Sequence, residues 1–335
     1  MGTCDYCGLE EASLFPPVQL RESFGLLMEA YYEDAEGVSL IRALRDDWGL
    51  FHDEMTDATA QELLADVLGD REFVGSTFSP IAVDDSVSFE RWEVLRAELM
   101  HQNRWFLGAP LDEERLRYLL SLLIAPENLF EVPWYRARLL GYEDSFDLEA
   151  MSAPPKHLAG HGRANPAGIP YLYLGSTAQT AIAEVRPHTG HRACVATFEF
   201  SGDLRIVDLR DPARLVSPFL EEDAEQIARL RSGIPFLQQL GEELTRPVLP
   251  DSAAYEYTPS QYLCEFIKKA GYDGVLYRSS VGDGMNLALF EPIHATGGVV
   301  IQVVKSVTVV LADDPDTEGS TAAVTRLRES RGSSG

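Results

Sequence analysis

The chain has 335 residues, 45% of them hydrophobic and 10% aromatic; this is ordinary for a globular protein and long enough for two domains. Its 28 Lys and Arg against 53 Asp and Glu give a formal charge of −25, which argues against a nucleic-acid partner, since phosphate backbones are held by clustered cations. No run approaches the roughly 18 apolar residues of a membrane span, whereas a small anionic ligand in a local basic pocket stays compatible with the charge.

The N-terminus, Met1-Gly2-Thr3-Cys4-Asp5-Tyr6-Cys7, lacks an apolar signal core behind a basic start, which points to the cytoplasm. Cys4 and Cys7 form a C-x-x-C knuckle whose following Gly8 suits the tight turn of a metal site. A structural Zn2+ wants four ligands. Cys194 falls in an expected strand and Cys264 in an expected helix, so both read as core thiols. His52 or His101, or a second chain, would have to complete the site, and oligomerisation is left open.

Residues 1–140 read as an all-α unit. Phe24, Leu27, Met28 and Tyr31 mark one amphipathic helix, and Trp92, Leu95 and Leu99 another. Thr59-Ala60-Gln61-Glu62 has the form of a capping box ahead of Leu63, Leu64, Val67 and Leu68. Asp112 is a good N-cap for Leu116, Leu119, Leu120, Leu123 and Ile124, and Pro126 ends that run. Residues 141–157 lose hydrophobic periodicity and read as a linker. Residues 158–312 alternate short strand-like runs with helices, too irregularly for a doubly wound sheet, so the expected class is α+β. Strands are expected at Tyr171–Leu174, Ala193–Phe200, Leu204–Leu209, Val275–Arg278, Leu287–Phe290 and within Val299–Leu311. Helices are expected at Thr177–Val185, Glu221–Leu244 and Pro259–Ala270, the last with Gln261 as part of its cap and Gly271 closing it. Residues 313–335 are polar and read as a disordered tail.

One constellation carries chemistry. Gly162-Arg163-Ala164-Asn165-Pro166-Ala167-Gly168 is a turn-rich loop presenting an arginine, followed by the strand Tyr171-Leu172-Tyr173-Leu174. Ser176-Thr177-Ala178-Gln179 then reads as a capping box, opening a helix that carries Glu184. Much later, a strand ends in Arg278-Ser279-Ser280 and the turn Gly282-Asp283-Gly284 leads to Asn286. Taken singly, Arg163 reads as a loop cation, Tyr173 as a core aromatic and Glu184 as a helix surface charge. In order and in this turn context, they read as a site.

These residues resemble the RES domain, a family named for its Arg, Glu and Ser. The likeness is strong over Gly162–Phe200, good over Pro259–Phe290 and loose between them. The resemblance implies an NAD+-degrading toxin, paired with an Xre-type antitoxin, whose fold is similar to that of ADP-ribosyltransferase toxins. It places the family's arginine on Arg163, its tyrosine on Tyr173, its glutamate on Glu184 and its serine on Ser279, with Ser280 as a one-residue alternative. NAD+ would be a substrate and no metal would be needed for the chemistry. Nicotinamide leaves as a neutral base from an oxocarbenium-like transition state, so one carboxylate near the ribose, Glu184, suffices. Arg163 would fork onto the pyrophosphate, Tyr173 would stack on a ring, and Ser279, Ser280 and Asn286 would bind amide or ribose hydroxyls. Water, inorganic phosphate or a protein side chain could accept the ADP-ribose, making the chain a glycohydrolase, a phosphorylase or, as the runner-up, a protein ADP-ribosyltransferase.

Some RES proteins carry a helical N-terminal extension described as HEPN-like, and residues 1–140 resemble one. Arg96 and His101 have the spacing of a HEPN ribonuclease pair, but Arg45…His52 and Arg186…His191 satisfy it too. A ribonuclease, or a helical interaction module beside an inactive RES domain, is therefore the competing reading from another class.

Overall fold

The computed structural model describes residues 2–308, apart from residues 9, 12–13, 53, 84–88, 109, 143, 201–203, 250, 292 and 294–295. The tail expected at 313–335 lies outside the described residues. In chain order the strands are β1 Gly2–Thr3, β2 Glu10–Glu11, β3 Tyr31–Ser39, β4 Thr77–Pro80, β5 Trp134–Leu139, β6 Leu172–Gly175, β7 Arg192–Phe198, β8 Ile206–Asp208, β9 Gly274–Arg278, β10 Met285–Leu289 and β11 Val299–Val303. The helices are α1 Arg21–Met28, α2 Leu40–Trp48, α3 Asp57–Leu68, α4 Arg71–Val74, α5 Phe89–His101, α6 Glu113–Ser121, α7 Ala178–Glu184, α8 Pro212–Leu215, α9 Ala224–Thr245, α10 Ala253–Glu256 and α11 Thr258–Lys269.

Among the described residues seven strands form one sheet in the order β11-β7-β5-β6-β10-β9-β8, and only the β8–β9 pair is parallel. The side-chain period of two decides what each face buries. Val275, Tyr277, Ala288 and Phe290 enter a core shared with α9, α11 and the N-terminal helices. Their neighbours Leu276, Leu287 and Leu289 point the other way, into a second core with Trp134, Leu172, Cys194 and Phe198. A mixed helix-and-sheet architecture follows, as expected from the sequence. Among the described residues no helix is long and apolar enough to cross a membrane.

Several expectations for the N-terminal half need correction. It is not all-α, because β3 and β4 pair antiparallel, with an irregularity between Glu33 and Val38. Helix α1 stops at Met28, and Tyr31, expected on the same helix, opens β3. The Tyr31 hydroxyl donates to Asp47 Oδ2 at 2.8 Å and accepts from Trp48 Nε1 at 2.8 Å, tying the strand to α2. Burial, then the Asp47 carboxylate, pushes that hydroxyl well above the usual tyrosine range. The cap of α3 is Thr56, whose Oγ1 accepts from Thr59 N at 3.2 Å. Asp112 caps α6 as the sequence suggests, accepting from Glu114 N and Arg115 N at 3.0 Å each.

The boundary between the halves also differs from the expectation. β5 lies before residue 140, yet it pairs along its whole length with β7. Met151 is fully buried in the second core and Phe146 packs against that core, so part of the segment read as a linker covers a sheet face. Leu27, Leu44, Trp92 and Leu95 share one core with Leu237, Phe266 and Val275, and the two halves are packed as one body there.

Candidate active site

The sheet parts in its middle. β5 pairs with β7 and β6 with β10, but β5 and β6 meet only at Tyr135 and Gly175. Helix α7 lies against β5, and at Gly175 a Cβ would stand 2.7 Å from Ala181 N, so glycine lets the helix approach. A cleft of about 220 Å3 results, lined by Arg136, Tyr173, Glu184, Tyr277 and Asn286 among others.

Glu184 is the last residue of α7. The helix is capped by Thr177, whose Oγ1 accepts from Thr180 N at 3.0 Å; the capping box expected to start at Ser176 is offset by one residue. Ser176 instead accepts from Met285 N at 3.0 Å and so joins the helix start to β10. Glu184 Oε1 accepts from Ser279 Oγ and from Asn286 Nδ2, each at 2.6 Å. Neither bond uses Oε2. Ser279 sits where β9 turns, with its N–H donating to Gly284 O at 2.9 Å and its Oγ accepting from Val281 N at 3.2 Å.

Ser280 takes a different partner. Its Oγ accepts from Arg163 Nη2 at 3.2 Å, and Arg163 Nη1 donates to the carbonyl of Arg246. The Arg163 guanidinium also stands 5.5 Å from the Tyr257 ring centre. Two adjacent serines thus serve the two charged residues of the motif, one each, and bring them to one turn. Arg163 does not line the cleft.

The loop carrying Arg163 is held from three sides. Asn165 Nδ2 donates to the carbonyls of Gly160, Pro166 and Ile169 at 2.8–3.0 Å, and its Oδ1 accepts from the Tyr173 hydroxyl at 2.6 Å. That hydroxyl accepts from Ala164 N at 3.0 Å. Gln261 Nε2 donates to Gly162 O at 2.8 Å and Asn165 O at 3.0 Å, and Ser260 Oγ donates to Arg163 O at 2.6 Å. Gln261 is therefore no mere cap, as its position had suggested, but an anchor reaching across about a hundred residues of sequence. At Gly162 a Cβ would lie 2.4 Å from both the Tyr173 hydroxyl and Asn165 Oδ1, which explains the glycine. Burial pushes the Tyr173 hydroxyl well above its usual range, so it stays protonated and can donate throughout.

Two cleft residues escaped the sequence reading. Arg136, in β5, has its Nη1 buried without a hydrogen-bond partner. Burial, and next the charge of Arg138, pushes its guanidinium down to about 10. A buried cationic donor without a partner is expensive, and an anionic ligand would supply what it lacks. Tyr277 is the second. Burial, then Tyr173 and Glu184, pushes its hydroxyl far up, while Arg163 opposes the shift.

The weaker sequence signals end elsewhere. Arg96 Nε pairs with Glu243 Oε1 at 2.7 Å, facing inward, while His101 is exposed against the Tyr255 ring at 5.5 Å between centres. Cys4 and Cys7 do sit in one turn, closed by Gly8 N donating to Cys4 O at 2.9 Å. Backbone N–H groups, that of Cys7 foremost, lower the Cys4 thiol. Among the described residues no group of three His, Cys, Asp or Glu could hold a metal, so these two thiols are not matched by the further ligands a structural zinc needs.

The model of the RES domain family matches residues 133–312, more than half of the chain. The chain belongs to the RES family. The RES match starts just before β5, so it takes in the strand that carries Arg136 as well as the segment 141–157. Among solved structures, a chain of the M. tuberculosis MbcT–MbcA toxin–antitoxin complex is similar at 17% identity and a TM-score of 0.29, over 55% of this RES protein and 93% of that chain. No curated protein matches.

Proposed function

We propose that this RES protein cleaves the nicotinamide–ribose bond of NAD+, with Glu184 as catalytic carboxylate and Arg136 as pyrophosphate anchor. The observation that carries the reading is one carboxylate, oriented through Oε1 by Ser279 and Asn286, on the wall of a cleft that also holds a half-buried arginine whose Nη1 is buried without a partner. The C–N bond breaks with its electron pair leaving on neutral nicotinamide, and positive charge grows on the ribose, where Glu184 stabilises it. An incoming water bonds to the ribose carbon and loses its proton, to Glu184 or to solvent, giving ADP-ribose. Inorganic phosphate in the same place gives ADP-ribose 1″-phosphate.

Size supports a divided ligand. The cleft, at about 220 Å3, is smaller than the roughly 300–1,000 Å3 that encloses a whole drug-sized molecule, so it takes the nicotinamide–ribose end only. Arg136 and Tyr173 also border a second hollow of about 170 Å3, which puts Arg136 where the middle of such a ligand would pass. Arg163, the family arginine by sequence, is engaged with Arg246 and Ser280, and its part is to hold the serine turn against Glu184. Family membership supports a toxin-like role restrained by an antitoxin.

Incubation of the purified protein with NAD+, with and without phosphate, tests this. Free ADP-ribose marks hydrolysis, its 1″-phosphate phosphorolysis, and a mass gain on a protein the transferase alternative. Unchanged NAD+ overturns the reading.

A further inference from the structure

Arg96, on α5 of the N-terminal half, and Glu243, on α9, form an ion pair with side chains only 15% and 2% exposed. The same Glu243 oxygen lies 3.6 Å from Arg246 Nη2. Arg246 is where α9 stops, with φ −51° and ψ 128°, and it is the residue whose carbonyl receives Arg163. From Arg163 the contacts run to Ser280, and the adjoining Ser279 holds Glu184. A carboxylate this far from water needs its cations close, and removal of one leaves a charge that the other must answer. Without Arg96, the cation among the described residues that is paired with Glu243 is the Arg246 side chain, which already stands at 3.6 Å. Drawing it in re-sets the backbone at the helix end and moves the carbonyl on which Arg163 rests.

We infer that Arg96 is a positioning residue for the cleft: by holding the Glu243 carboxylate where Arg246 meets it, Arg96 fixes the end of α9, and through it Arg163 and the serine turn. The N-terminal half then contributes to the site and is not a separable module beside it. Only the kinetic arm of the test rests on the NAD+ reading.

The test compares Arg96→Met with the double variant Arg96→Met/Glu243→Met in the full chain. Thermal stability, hydrogen–deuterium exchange of residues 160–168 and 278–284, and NAD+ kinetics are measured for each. The single variant is expected to melt earlier, to exchange faster in both segments, and to lose about tenfold in kcat with little change in KM. Two methionines can pack where the ion pair sat, so the double variant regains the wild-type melting temperature. It does not regain slow exchange or kcat, because Arg246 has lost its carboxylate. Unchanged exchange in the single variant, or return of exchange and kcat together with melting temperature in the double, marks the pair as merely structural and overturns the inference. If the wild-type protein leaves NAD+ intact, the cleft reading fails while exchange still decides this one.

Discussion

Two arginines near the cleft live in opposite surroundings. Arg163 stands on a loop in which side chains engage the carbonyls of Gly160, Gly162, Arg163, Asn165 and Pro166, and its own guanidinium meets a helix-end carbonyl and a serine. Arg136 stands on a strand in the middle of a sheet, next to another arginine, with a buried nitrogen that nothing satisfies. A group with all its partners in the protein serves the protein's own geometry, whereas a group left short of partners is prepared for something that arrives. The arginine most visible as a motif and the arginine with an unmet donor facing the cleft are thus different residues.

The sharpest test acts on the carboxylate that both regions surround. Glu184→Gln keeps the shape and both hydrogen-bonding positions but loses the charge, and kcat is expected to fall about 10²–10³-fold with the melting temperature preserved. Near-normal turnover would remove the catalytic reading. Arg136→Ala is expected to raise KM for NAD+ by about 10–100-fold and to leave kcat nearly alone, since a pyrophosphate contact exists in ground and transition states alike. Arg163→Ala should lean the other way, with kcat down about tenfold and KM little changed, because it loosens Ser280 beside the serine that orients Glu184. Exchange of these two signatures would reverse the comparison.

A smaller effect follows from pH. Above about 10 the Arg136 guanidinium loses its charge, so KM for NAD+ should stay level through neutral pH and rise as pH passes that value. The sign for folding is opposite. A cation whose pKa falls on folding binds its proton less tightly in the folded chain, so this group's contribution to stability grows as pH rises from about 10 toward its unfolded value. A KM–pH profile for the wild type and Arg136→Ala checks it, and only the wild type should show the rise.

What the sequence showed of this site follows from how local its signals are. Arg163, Tyr173, Glu184 and Ser279 stand in or close to segments with strong turn chemistry, and the structure brings Arg163 and Glu184 to the serine turn and Tyr173 to the Arg163 loop. Arg136 gave no such signal. Tyr135-Arg136-Ala137-Arg138-Leu139 does alternate apolar and polar residues as a half-buried strand does, but the run is short and falls within residues 1–140, where helical periodicity dominates. Gln261 was hidden by a sufficient local explanation, since a helix start accounts for a glutamine without any distant loop. β3 was missed for a related reason: Tyr-Tyr-Glu-Asp-Ala-Glu-Gly-Val-Ser is polar and pairs with one strand only, so its burial pattern is weak. The one-residue offset at Ser176 and Thr177 is the ordinary ambiguity of two neighbouring hydroxyl residues at a helix start.

The lone Tyr135–Gly175 pairing has a mechanical consequence. It leaves the sheet as two panels, β11-β7-β5 and β6-β10-β9-β8, stitched at a single point. Arg136 belongs to the first panel, while Tyr173, Tyr277, Ser279 and Asn286 belong to or adjoin the second. A dinucleotide gripped by both would be a second stitch, closing the seam that the backbone leaves open. Under the proposed reaction the substrate would brace the sheet that holds it, and its departure as two fragments would return the seam to one point.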